Sequence, residues 1–246
     1  MRRKVTRRSH NGHHFLFSTP NSLCKYRADT FSTKEPDTLS WIENFTEGEV
    51  FWDIGANVGL YSVYAAKTRN CQVISFEPSV FNLEVLSRNV FLNQLTNKIQ
   101  ILPIALNNTN SLGILNMSST NIGGALSSFN QTYGYDGLQL NVDFKFPTLS
   151  MKMDSVIDFF KLPSPKYIKI DVDGIEHLIL QGGESVLKKA DQILIEVSRD
   201  FLTQKNLLIE ILKKNGYSKK LYTEKEIKFY GINEADSAHN QIWVRK

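Results

Sequence analysis

Two acids 24 residues apart, Asp53 and Glu77, close the apolar segments VFWD and VISFE, and the turn Ile54-Gly55-Ala56-Asn57-Val58-Gly59 follows the first. Glycines in a strand–turn–helix unit let backbone approach a ligand closely, and the helix N-terminus offers free N–H groups. An acid ending the neighbouring strand can accept hydrogen bonds from both hydroxyls of a ribose, the role expected of Glu77. The pair therefore reads as a site for an adenosine-containing cofactor. A dinucleotide fold would place G-x-G-x-x-G here around a pyrophosphate. This chain has Asp53-x-Gly55-x-Asn57-x-Gly59, and a carboxylate beside the turn repels a pyrophosphate. It suits a cationic ligand with an α-amino group, which favours S-adenosylmethionine over NAD. Pro78 fixes the exit turn and Phe81 is placed to cover the adenine. With Ala105 near the end of the third strand, the expected cofactor set is Asp53, Gly55, Asn57, Gly59, Glu77, Pro78, Phe81 and Ala105.

A second set of ionisable residues lies further on. Lys169, Asp171 and Asp173 alternate along YIKIDVDG, so a strand that stays regular points all three to one side. Glu176 falls one turn into the next helix. Glu196 sits within the apolar run ILIEVS, where an unpaired acid is costly, and Lys169–Glu196 is the natural ion pair to expect. Methyl transfer to an alcohol needs an aligned acceptor and a group to take its proton. Asp171 or Glu196 is the expected base, with Lys169 beside them. The same residues would also serve as a salt bridge between two strands, or the acids as a divalent-cation site. No metal ligands are assigned: Cys24 and Cys71 form no zinc motif, and His10, His13 and His14 lack a neighbouring Cys or acid. His177 reads as a surface residue, His239 as an edge-loop or pocket residue, and Asn82 as a helix cap.

These groups need a frame. Strand patterns at Val50–Ile54, Gln72–Phe76, Ile99–Leu106, Tyr167–Val172 and Gln192–Val197 alternate with helical patterns at Val58–Lys67, Val80–Leu92, Gly174–Leu187 and Leu202–Asn215. Alternation of this kind predicts an α/β fold with a parallel sheet and right-handed crossovers. Tyr217–Tyr222 and Gln241–Arg245, with no helix expected between them, predict an antiparallel hairpin at one edge. Ahead of the first strand, a short strand is expected over residues 13–19 and a helix over Thr38–Phe45, with Pro36 at its first turn. Residues 107–150 break the rhythm with two β-like pieces, Leu112–Met117 and Leu138–Phe146. An insertion after the third strand lies near the carboxyl ends of the sheet, so it is the expected substrate-facing element, with Asn121–Ser128 as a loop able to close over ligands and Tyr133 and Tyr135 as residues able to stack on a ring.

The segments DIGANVGLYS, SFEPSVFNLEVLSRNV, YIKIDVDGIEHLILQGG and ILIEVS, in that order, resemble the FkbM-type methyltransferases over about residues 35–245. The resemblance implies a Rossmann-like class I methyltransferase fold with a seven-stranded, mostly parallel sheet. It also implies S-adenosylmethionine as cofactor and the hydroxyl of a sugar or natural product as acceptor. TLSMKMDSVI departs from the family pattern, so Asp154 receives no role. The expected organisation is a basic N-terminal extension, residues 1–34, and one methyltransferase domain, residues 35–246.

The net charge of +4 belongs to the N-terminus. Residues 1–27 hold seven Lys/Arg and no acid, leaving 22 basic against 25 acidic residues in the remainder. Read as a solvated tail, the run implies no nucleic-acid or membrane partner. No apolar run reaches the roughly 18–20 residues of a membrane span and no signal-peptide pattern is present, so the chain reads as soluble and cytoplasmic. The competing classes are an NAD-dependent oxidoreductase, disfavoured by Asp53 and the missing glycine, and a non-catalytic cofactor-fold binding protein, disfavoured by the intact acids.

Overall fold

The computed structural model describes residues 4–233 and 237–246. The chain opens with a hairpin, β1 (Val5–His10) and β2 (His13–Ser18), turned through Asn11 and Gly12, which both take positive φ. Helices α1 (Ser22–Asp29) and α2 (Pro36–Glu43) lead to the α/β body. Its first half is β3 (Val50–Ile54), α3 (Leu60–Thr68), β4 (Gln72–Phe76), α4 (Val80–Leu92) and β5 (Ile99–Leu102). The insertion carries β6 (Ala105–Leu106), β7 (Ser111–Met117), β8 (Ser127–Phe129) and β9 (Phe144–Met151), followed by α5 (Met153–Phe160). The second half is β10 (Tyr167–Ile170), α6 (Glu176–Gln181), α7 (Glu184–Leu187), β11 (Gln192–Ser198), α8 (Leu202–Lys214), β12 (Tyr217–Lys219), α9 (Glu224–Tyr230) and β13 (Ala238–Arg245).

Seven strands form the main sheet in the order β12-β13-β11-β10-β3-β4-β5. The pairings are parallel except those of β13, which runs antiparallel to both neighbours. The class I methyltransferase fold expected from the sequence is thus present. From β3 the chain winds outward in one direction through β4 and β5, then returns to the other side through β10 and β11. The crevice beyond the carboxyl ends of β3 and β10 is therefore the topological switch point, where open α/β sheets bind ligands. Both sheet faces are covered, and the central strands are buried on both sides, Trp52, Ile54, Ile168, Ile170 and Ile195 on one face and Phe51, Val73, Tyr167 and Leu194 on the other.

Several elements differ from expectation. The basic N-terminus, from Lys4 onward, is not a solvated tail. Phe15 and Phe17 are fully buried against Phe31 and Tyr64, and the side chains of Asn89 on α4 and Asn93 just after it hydrogen-bond the β2 backbone at Ser18 and Leu16. Arg8 pairs with Asp29 of α1. Arg2 and Arg3 lie outside the described residues. Pro103 splits the third strand, because it cannot donate to the ladder: β5 stays in the main sheet and β6 joins a second sheet, β6-β9-β7-β8. The second β piece of the insertion begins at Phe144, not Leu138. Asp154, left without a role, accepts the Ser185 and Val186 amides at the start of α7. The last two strands do pair antiparallel at the edge, but β13 slots between β11 and β12, and α9 lies between them in sequence with Thr223 and Glu226 forming a capping box. Among the described residues, no helix is long and apolar enough to cross a membrane.

Candidate active site

The turn after β3 is built by close backbone approach. Gly55 takes φ +79, donates its N–H to Phe76 O, and has the Asp171 carbonyl oxygen 1.9 Å from where a Cβ would stand. Only glycine fits there, so the turn and the exit of β10 press together at the switch point. Two cavities meet at this seam and share Gly55, Asn57 and Asp171.

The first cavity, about 560 Å³, runs along the carboxyl ends of β4 and β5 and is lined by Glu77, Pro78, Asn82 and Ala105, with Leu115 and Phe129 from the insertion. Glu77 is 5% exposed. Its oxygens accept the Asn57 and Ser79 amides (both 2.8 Å). Burial, only partly offset by these donors, pushes its carboxyl up to about 7. A loop of the insertion closes the rim. Gly124 O accepts from Asn57 and Asn82, Gly123 N–H donates to Asn82 Oδ1, and Arg27 of α1 donates to Gly123 O. Asp173 accepts the Leu126 and Ser127 amides on the opposite rim. Asn82 is thus a loop clamp, not the helix cap the sequence suggested, and the 121–128 loop lies where it was expected to close.

The second cavity, about 500 Å³, carries charged side chains of both signs. Arg27, Lys34, Glu35 and Tyr61 line it together with Lys169 and Asp171. Lys169 is 1% exposed and lies 2.7 Å from Asp171 Oδ2, with its ammonium over the Tyr61 ring. Burial works against both charges, but their attraction outweighs it. Lys169 is held above its ordinary value, aided by Asp53, and Asp171 below its own.

Other expected residues are placed differently. Asp53 is still inside the ladder, opposite Lys169 and Ser75, so its side chain stays beneath the turn. It is 0% exposed, accepts from Ser62 (2.5 Å) and lines neither cavity. Gly59 also lines neither; it packs against Leu86 where α3 begins. Phe81 turns edge-on to Phe144 of the insertion and leaves the first cavity to Pro78 and Asn82. The expected Lys169–Glu196 pair does not form, because β10 and β11 run in parallel register with Lys169 opposite Leu194, and Asp171 takes the ammonium. Asp173 does not continue the alternation: β10 ends at Ile170 and Asp173 adopts φ +62. His177 is buried at 7% exposure, edge-on to Phe201, so it is not a surface residue.

Glu196 lines a third cavity with Asp37, Tyr230, His239 and Asn240; Lys34 and Glu35 are shared with the second. Burial first, then the carboxylates of Asp171, Glu176 and Asp173, hold its carboxyl well above the usual range. Among the described residues no group of His, Cys, Asp and Glu has the arrangement of a metal site. Sequence reasoning missed Arg27, Lys34, Glu35 and Tyr61. Arg27 on α1 and Lys34 and Glu35 on the link into α2 reach the seam only because those elements fold over it, whereas Tyr61 stands in the first turn of α3, two residues after Gly59, where the motif itself could have marked it.

The model of the methyltransferase FkbM domain matches residues 53–219. The chain belongs to the FkbM methyltransferase family. A hexuronic acid methyltransferase, AglP, of Haloferax volcanii is 22% identical over 156 residues, 63% of this chain and 59% of the relative, so the chain spans about three fifths of that protein's length. Among solved structures, a precorrin-6y C5,15-methyltransferase from Geobacter metallireducens shares the fold at 17% identity, with TM-score 0.50 and 94% of each chain covered. A putative rRNA methylase from Clostridium thermocellum is similar at 8% identity and TM-score 0.50, covering 85% of this chain and 93% of that one.

The residues at the seam fit S-adenosylmethionine as the donor this family implies. Glu77 has acceptor capacity left for ribose hydroxyls, and Pro78 and Ala105 offer apolar surface beside it. The second cavity offers cations in Arg27 and Lys34 for a carboxylate and acids in Glu35 and Asp171 for an ammonium.

Proposed function

We propose that the protein is an S-adenosylmethionine-dependent O-methyltransferase acting on a hydroxyl group of a sugar, in a glycan or glycan precursor, or of a natural product. One observation carries the reading. Two cavities meet at Gly55 and Asp171, one with Glu77 beside apolar side chains and the other with the cations Arg27, Lys34 and Lys169 facing the acids Glu35 and Asp171. That is the division of an adenosine from an amino-acid moiety. When bound, the donor supplies a sulfonium methyl: an acceptor oxygen lone pair takes the methyl carbon, and the C–S electron pair leaves on sulfur as a neutral thioether.

The chain's own contribution is alignment, exclusion of water and removal of a proton. The clamped 121–128 loop and α1 cover the seam. Asp171, held ionised by Lys169, is a weak base. Glu196, raised by burial and neighbouring carboxylates, is the better proton acceptor. The relative's hexuronic acid substrate supports a sugar acceptor. The two free, buried cysteines fit a reducing cytoplasm, and α1 of the N-terminal extension acts as part of the catalytic unit, since it contributes Arg27.

Calorimetric titration with S-adenosylmethionine and NAD separates the enzyme classes: binding of the sulfonium compound alone is expected, and binding of NAD alone overturns the reading. Transfer of a labelled methyl to acceptor sugars then gives the bond type. An alkali-stable ether is expected, whereas an alkali-labile ester refutes transfer to a hydroxyl. Glu196→Gln is expected to lower kcat by about 10²–10⁴ while S-adenosylmethionine still binds.

A further inference from the structure

The third cavity, about 680 Å³, opens on the far side of Lys34 and Glu35 from the second cavity. Its walls come from the start of α2, from β11, from the end of α9 and from the start of β13. Glu196 stands on β11 one residue past Ile195, the partner of Ile170, and so level with Asp171 at the seam. The cavity thus begins where an acceptor would have to reach the methyl group. The insertion, by contrast, is pinned shut over the first cavity by Asn57, Asn82, Arg27 and Asp173.

Glu196 is half-buried and lines this cavity, and among the described residues no donor hydrogen-bonds to its carboxylate. Its acceptor positions are therefore open to a ligand hydroxyl. Glu35, beside it, already accepts from Lys34, Thr38 and Asn240. Among the described residues the lining holds three acids, Glu35, Asp37 and Glu196, against one lysine, Lys34. An anionic acceptor entering there meets like charge, while a neutral polyol does not. Tyr230 adds an aromatic ring, and its hydroxyl is held by Ser40 (2.7 Å).

We propose that this cavity is the acceptor subsite and that it takes an uncharged polyol, a neutral sugar ring, whose reactive hydroxyl donates to Glu196, so that uronates are selected against. The proposal rests on the methyl-transfer reading above. As the acceptor oxygen gains the methyl, its proton passes to the Glu196 carboxylate; the electron pair of the broken C–S bond stays on the departing thioether, and no other reactant is consumed.

The test uses the full chain and matched pairs of methyl hexosides and methyl hexuronides of glucose, galactose and mannose. Binding is read by saturation-transfer NMR, and transfer from labelled S-adenosylmethionine is read in parallel. Neutral members are expected to bind, and to exceed their uronide partners in kcat/KM by about tenfold or more, the scale of one like-charge contact near a protein surface. Asp37→Asn is expected to narrow that ratio by about threefold or more. Glu196→Gln is expected to weaken binding of the neutral member while leaving calorimetric binding of S-adenosylmethionine in place. A preference for uronides, a ratio indifferent to Asp37→Asn, or binding of no member of any pair overturns the proposal. Failure of the wild-type protein to bind S-adenosylmethionine would instead remove the methyltransferase reading beneath it.

Discussion

Glu77 makes donor binding depend on pH in a way its surroundings allow to be calculated. Its carboxyl is buried and pushed up to about 7, with the Asn57 and Ser79 amides as partners. Ionised, it has lone pairs left to accept two ribose hydroxyls; protonated, it loses acceptor capacity on one oxygen. If only the ionised form binds well, the apparent Kd for S-adenosylmethionine scales as 1 + 10^(7−pH), a weakening of about tenfold between pH 8 and pH 6. Stability of the free protein moves the other way. The folded value lies above the ordinary 4.5, so between about 4.5 and 7 the folded state holds more protons than the unfolded chain, and stability falls as pH rises through that window. The full move corresponds to roughly 3 kcal/mol at about 1.4 kcal/mol per tenfold. Calorimetry across pH 5.5–8.5 for wild type and Glu77→Gln checks both. The variant is expected to bind more weakly, but with the pH slope largely gone and the free protein more stable above neutrality. A wild-type affinity flat across that range refutes the reasoning; a slope that survives in Glu77→Gln refutes it too and points to another group such as Asp173, pushed up by burial to about 6.

The two glycines of the turn separate binding from packing. Gly55→Ala puts a methyl group against the Asp171 carbonyl and strains a left-handed residue, so it is expected to abolish measurable S-adenosylmethionine binding and to cost at least roughly 1–2 kcal/mol in urea unfolding. Gly59→Ala meets chiefly the far end of the Leu86 side chain, and its loss is expected to appear in stability while donor affinity changes by less than about threefold. Phe17→Ala removes a fully buried ring of the N-terminal hairpin, with an expected loss of roughly 3–5 kcal/mol by denaturant titration; an unchanged midpoint would restore the solvated-tail view of this segment. Asp154→Ala strips the Ser185 and Val186 amides of their acceptor and is expected to cost about 1 kcal/mol without altering donor affinity.

Much of the lining of the first cavity was legible because its parts are local. Gly55, Asn57, Glu77 and Pro78 sit at strand ends, where period-two alternation and a glycine turn dictate position from a few neighbours. The same logic failed one residue earlier. Asp53 looks like a strand tip in sequence, but the ladder continues to Ile54, and a single residue decides whether a side chain faces ligand or core. It failed again at Asp173, where a positive φ breaks the alternation that Lys169 and Asp171 obey. The hairpin at the N-terminus carried its own signal, Asn11-Gly12 between alternating residues, masked by the arginines around it.

The acceptor side was illegible for a different reason, and the difference bears on where specificity resides. Lys34, Asp37, Glu196, Tyr230 and His239 share no spacing in sequence. They meet because β13 enters the sheet between β11 and β12, bringing residues 238–240 alongside Glu196, whose backbone pairs with Asn240. Asn240 then reaches Glu35 and Thr38 of the α2 start (3.3 and 3.2 Å), tying that wall to the strand. A wall assembled by long-range pairing can change its residues without disturbing the donor turn, because none of them hydrogen-bonds to Gly55, Asn57 or Glu77 among the described residues. If the third cavity seats the acceptor as proposed, substitutions at Asp37 or Tyr230, which line that cavity alone, should alter which sugar is methylated while leaving the affinity for the donor close to that of the wild type.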